Sequence, residues 1–155
     1  MWYEANGEKS RAAARAWAAA NKPRALERVR EWRQSNPDGA KAQVHRRLAR
    51  KHGLPSTLTA ADVTFAFDVF SQCCAACGRQ LNGLFHRDRL DHWIPLASPD
   101  CPGTVPHNMV PLCSDCNLSK HARDPVEWLT ERFGKRKGRE ILKRIEAFLE
   151  SRRTA

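Results

Sequence analysis

The 155-residue sequence predicts an α+β fold, mostly α, and three observations carry that expectation. Ala, Arg, Glu and Leu, all good helix formers, dominate the first third of the chain, and amphipathic helical stretches fill the last fifth. Two short apolar runs, "RLDHWI" and "NMVPLC", are the candidate strands. The polar stretch "DCNLSKHAR" follows the second run behind Ser114, a good helix cap, so strand, strand and helix form a ββα unit.

Charge divides the same chain into three. Residues 1–52 hold 13 Lys/Arg against 5 Asp/Glu, residues 53–123 hold 5 against 6, and residues 124–155 hold 9 against 6. A roughly neutral centre with basic ends, at a net charge of +10, reads as a working core with a polyanion-binding arm. The expected domains are therefore a basic helical arm over 1–52, a central domain over 53–123 and C-terminal helices over 124–155 that pack on it. No apolar run is long enough to span a membrane, so a membrane partner is not expected. The start "MWYEANGEKSR" has no apolar signal region, and the expected setting is a cytoplasm.

The arm carries a repeat. "WYEAN" at Trp2–Asn6, "WAAAN" at Trp17–Asn21 and "WRQSN" at Trp32–Asn36 recur every 15 residues, with Arg15 and Arg30 in the same register. Pro23 and Pro37 should end helices, which predicts helices over about 9–20, 24–35 and 40–51. Arg11, Arg15, Arg28, Arg30, Arg46 and Arg47 are the candidate phosphate contacts of this arm. Its Trp residues have two open uses, stacking on bases or packing between helices. After the break "GLPSTL", Thr59 and Asp62 form a capping box for a helix over about 60–71, whose Val63, Phe67 and Phe70 should dock on the core. A turn at Asn82-Gly83 leads into the first strand, about 89–94, and "SPDCPGTVPH" must be loop. "DPVEWLTERF" and residues 138–151 close the chain as two amphipathic helices.

Cys74-x-x-Cys77 and Cys113-x-x-Cys116 are matched zinc half-sites, since a two-residue gap lets both thiolates of a pair face one tetrahedral ion. In a reducing setting such pairs favour a metal over disulfides. Four thiolates leave no open position, so this zinc is structural. Cys73 and Cys101 are expected to be bystanders.

Between and beside the pairs lie Asp91, His92, Asn108, Asn117, Lys120 and His121. "LDHWIP", then Asn108 before "MVPLC", then "CSDCNLSK" resembles the HNH endonuclease motif in its zinc-stapled form, over about residues 74–120. The Trp/Asn arm is similar to phage-type, endonuclease VII-like members. The resemblance implies a ββα-metal (His-Me finger) core and hydrolysis of DNA phosphodiester bonds, leaving 5′-phosphate and 3′-hydroxyl ends. His92 is then the general base, and Asp91 is a hard oxygen ligand for Mg²⁺ or Mn²⁺. Asn117 takes the family's second ligand position, directly after the last cysteine. Asn108 is the residue that ties the loop and orients the base. Lys120, one turn past Asn117, is a candidate phosphate contact, and His121 a candidate third ligand. Arg87 and Arg89 beside the strand are further DNA-contact candidates. The loop departs from the pattern, lacking the Gly-Gly that many relatives have, and Met109 follows Asn108 where they have Leu.

The expected partner is duplex DNA, with branched DNA open, in a bacterial or phage-infected cell. A homodimer and phage packaging or recombination machinery are further candidate partners. The alternative is a non-catalytic zinc-stapled nucleic-acid-binding protein. It leaves the joint presence of Asp91, His92 and Asn117 without a reason.

Overall fold

The computed structural model describes residues 2–81 and 89–153, with side chains over 7–81 and 90–153. The protein is mostly helical with a small two-stranded antiparallel sheet. Its elements run α1 (Trp2–Ser35), α2 (Pro37–Lys51), α3 (Ala60–Val69), β1 (Arg89–His92), a short 3-10 turn (Pro106–Asn108), β2 (Met109–Leu112), α4 (Ser114–Lys120), α5 (Pro125–Phe133) and α6 (Lys135–Ser151). No described helix is long and apolar enough to cross a membrane.

Contacts divide the chain into two units, Met1–Pro37 and Asp38–Ala155. In the first, the expected stop at Pro23 does not occur: α1 runs unbroken through it. A proline removes one backbone donor and costs about 3 kcal/mol inside a helix. Here Ala, Arg, Glu and Leu on both sides supply enough helix propensity to continue. The repeat has a visible local role, since the side-chain amide of Asn21 donates to the Trp17 carbonyl at 2.8 Å and that of Asn36 to the Trp32 carbonyl at 3.2 Å. Trp17 is 70% exposed and Trp32 42%. α2 begins at Pro37, earlier than expected, because the fixed φ of proline suits a first helical position.

The second unit carries the core. α3 starts with the expected capping box, in which Thr59 N–H donates to Asp62 Oδ2 at 2.9 Å and Asp62 N–H to Thr59 Oγ1 at 3.2 Å. Its Val63, Phe67 and Phe70 pack with Leu90, Met109, Val110 and Leu112 of the strands and with Trp128, Ile145 and Phe148 of the last two helices. α5 and α6 approach closely at Gly138, where any Cβ would come within 2.9 Å of the Leu129 carbonyl oxygen. The strands pair antiparallel, with Asp91 opposite Val110 and His92 opposite Met109. β1 is shorter than the expected 89–94. One further bond, from Trp93 N–H to the Asn108 carbonyl at 2.7 Å, follows it before Pro95 ends the run. The Asn82-Gly83 turn lies outside the described residues.

Candidate functional site

Two turns bring four cysteines together. In the first, Gly78 N–H donates to the Cys74 carbonyl at 2.9 Å, and Gly78 has φ +75°, a conformation that glycine adopts without strain. This knuckle is hung on β2 by Ala75 N–H to the Pro111 carbonyl at 2.8 Å. The second starts at Cys113, the N-cap of α4, whose sulfur accepts from Cys116 N–H. The sulfurs of Cys74, Cys77, Cys113 and Cys116 all lie within 4.8 Å of one another, and Cys77 and Cys113 are 3.7 Å apart. Thiolates at about 2.3 Å from a tetrahedral zinc stand about 3.8 Å apart, so the group fits such an ion.

The charge balance of the cluster points the same way. A hydrogen bond from the Cys116 thiol holds Cys74 down to about 4, and giving that bond, with burial, pushes Cys116 up. Cys73 and Cys101 do not join the group: Cys73 pairs with Gln80, and Cys101 donates to the Ile94 carbonyl. Around the cluster, Arg144 of α6 donates to the Ala75 carbonyl at 2.5 Å, and Arg79 pairs with Asp115 at 2.8 Å.

Beside the cysteines, the end of β1 and one face of α4 line a cleft of about 740 Å³. Asp91, His92, Asn117, Lys120 and His121 all line it. α4 is started by the cysteine knuckle; Asn117 and Lys120 lie one turn apart on its cleft side, and His121, just past the helix end at φ +47°, lines the cleft as well. Lys120 is 1% exposed, and its ammonium stands 2.9 Å from Asp91 Oδ2. That oxygen is buried and accepts no well-directed hydrogen bond, so the lysine compensates it by charge alone. A carboxylate and a side-chain amide from two elements lining one cleft, Asp91 and Asn117, are donors suited to a hard divalent cation. Burial, with the nearby charges of His45, Lys120 and His52, pushes the His92 imidazole down to about 3. The ring is therefore neutral at neutral pH.

Asn108 does not line this cleft. It is 1% exposed and braces the loop behind it. Its Oδ1 accepts from Ile94 N–H at 2.8 Å, and its Nδ2 donates to the carbonyls of Ile94 at 3.1 Å and Gly103 at 3.0 Å. Asn108→Ala removes three hydrogen bonds to the backbone of Ile94 and Gly103 and is expected to cost about 3 kcal/mol, read as a lower denaturant midpoint at unchanged m. A midpoint within error of wild type would show that the brace is dispensable.

Thr104 is a contact of His92 that the sequence did not announce. It is fully buried, its Oγ1 lies 2.7 Å from His92 Nε2, and it donates to the His45 carbonyl of α2 at 3.0 Å. No motif marks it; three segments distant in sequence meet there only in the folded chain. Among the arginines, Arg11, Arg15, Arg28 and Arg30 are exposed on α1 and Arg47 on α2, whereas Arg46 is half-buried. Arg87 lies outside the described residues, as does the side chain of Arg89, whose backbone pairs with Leu112.

No curated protein matches the chain. A similar solved structure is the Type II-C Cas9 enzyme from Actinomyces naeslundii, at 24% identity and a TM-score of 0.40. That match covers 83% of this chain, which spans 14% of the Cas9 chain. Residues 74–123, from the first cysteine of the cluster to just past α4, match the model of the HNH endonuclease family, and this segment holds both the cysteine cluster and the cleft.

Proposed function

We propose that this protein is a metal-dependent HNH endonuclease that hydrolyses DNA phosphodiester bonds on a ββα-metal core. One observation carries the reading: Asp91 and His92 from β1 and Asn117 from α4 converge on a single cleft beside the four-cysteine cluster.

Each residue has a part that follows from its surroundings. His92, neutral and buried on one side, accepts the proton of a water in the cleft as that water's oxygen attacks phosphorus. The bond to the 3′ oxygen breaks, which leaves a 5′-phosphate and a 3′-hydroxyl once that oxygen takes a proton from solvent. Asp91 and Asn117, with His121 as a third ligand, are the residues to hold Mg²⁺ or Mn²⁺, which when bound supplies positive charge to the phosphate. Lys120 keeps the Asp91 carboxylate in place and adds a charge that favours phosphate in the cleft. Asn108 braces the loop that follows the strand carrying the base. Cys74, Cys77, Cys113 and Cys116 hold a structural zinc that fixes where α4 begins. The arm over residues 1–52, through Arg11, Arg15, Arg28, Arg30, Arg46 and Arg47, contributes phosphate contacts, and with them a steep salt dependence.

Supercoiled plasmid incubated with the protein and Mg²⁺ or Mn²⁺ is the direct test. Conversion to nicked circles that stops on chelation is the expected result. Salt-sensitive DNA binding without cutting under either metal would replace this reading with a non-catalytic zinc-stapled nucleic-acid-binding protein.

A further inference from the structure

We propose that Thr104 is a positioning residue, whose hydroxyl bridges the Nε2 of His92 to the main-chain carbonyl of His45 on α2 and so fixes which imidazole nitrogen faces the reaction. The inference rests on the reading of His92 as the base.

The argument is one of donors and acceptors. The His45 carbonyl can only accept, and Thr104 Oγ1 donates to it at 3.0 Å. The hydroxyl has one proton, so that proton is committed. Its oxygen, 2.7 Å from His92 Nε2, is then left to accept, and Nε2 must carry the ring proton. The lone pair is thereby placed on Nδ1, the nitrogen that remains to take a proton from water.

The surroundings hold Thr104 on every side. Its N–H donates to the Pro55 carbonyl at 2.9 Å, and its own carbonyl accepts from Thr57 at 3.1 Å and Leu58 at 3.2 Å. Gly103 makes that approach feasible, because a Cβ there would lie 2.3 Å from the Pro55 oxygen. On the other side the hydroxyl reaches the His45 carbonyl of α2, a helix whose Ala42 and Ala49 are both buried. Both anchors, α2 and the Pro55–Leu58 segment, lie outside the matched segment 74–123. The orientation of the base is therefore set by parts of the chain that the family match does not include.

The test is the tautomer of His92, read at pH 7.5 from two-bond ¹⁵N–¹H correlations in the full chain, for wild type, Thr104→Val and Thr104→Ser. Wild type and Thr104→Ser are expected to show the Nε2–H form, and Thr104→Val a mixture with Nδ1–H. Nicking by Thr104→Val should fall about 10–100-fold in kcat, with KM for plasmid unchanged, and Thr104→Ser should restore most of it. An Nδ1–H ring in wild type overturns the proposal even if the valine variant does not fold. So does a folded valine variant that keeps the wild-type tautomer. The spectra do not depend on cleavage: a wild type with the expected tautomer that never cuts DNA would sink the nuclease reading and leave the bridge standing.

Discussion

Replacing His92 by alanine is expected to lower plasmid nicking by about 10²–10⁴-fold while leaving DNA affinity unchanged, the usual range for loss of a general base. The two readouts separate because the ring is 6% exposed and contributes little surface to a bound duplex. Retention of nicking within a few-fold of wild type would remove His92 from the reaction. The pH profile gives the same residue a second signature. Burial depresses its proton affinity in the fold to about 3, below the ordinary 6.5, so the base is already unprotonated above that value. A fall in rate between pH 8 and pH 5 with an inflection near 6.5 is therefore not expected from His92.

Cys113→Ser should have the largest effect on the fold. A structural zinc contributes on the order of 10 kcal/mol, comparable with the whole stability of a small domain. Cys113 is also the N-cap of α4, a role serine can fill, so what the substitution removes is the candidate metal ligand at the start of the helix that carries Asn117 and Lys120. The expected outcome is loss of stoichiometric zinc by elemental analysis, together with loss of a cooperative thermal transition. Unchanged zinc content with an unchanged Tm would show that these cysteines are not the staple.

What the sequence made legible was local, and what it hid was not. Cysteine pairs at a two-residue gap, the Thr59 and Asp62 capping box and the Phe-rich stripe of α3 are encoded within a few residues, and each is present in the structure. The gathering of Asp91, His92, Asn117 and Lys120 was legible only through a resemblance spanning the motif, since none of the four is informative alone. Pro23 misled because its penalty is a single-residue rule, whereas the propensity that outweighs it is summed along 34 residues of helix. Thr104 could not be found at all. Its meaning lies in a carbonyl 59 positions earlier and a ring nitrogen 12 positions earlier, and backbone carbonyls leave no trace in a list of side chains.

The bond from Arg144 of α6 to the Ala75 carbonyl bears on how such a module can be moved between proteins. It ties the first cysteine knuckle to the far C-terminal helix, as Thr104 ties the segment between β1 and β2 to α2. A fragment trimmed to residues 74–123 would carry every residue assigned to the reaction and lack both ties. Grafted into a fusion protein, such a fragment has to be given a new host surface that offers a guanidinium and a carbonyl in the same places, so the transplantable unit is larger than the motif that advertises it.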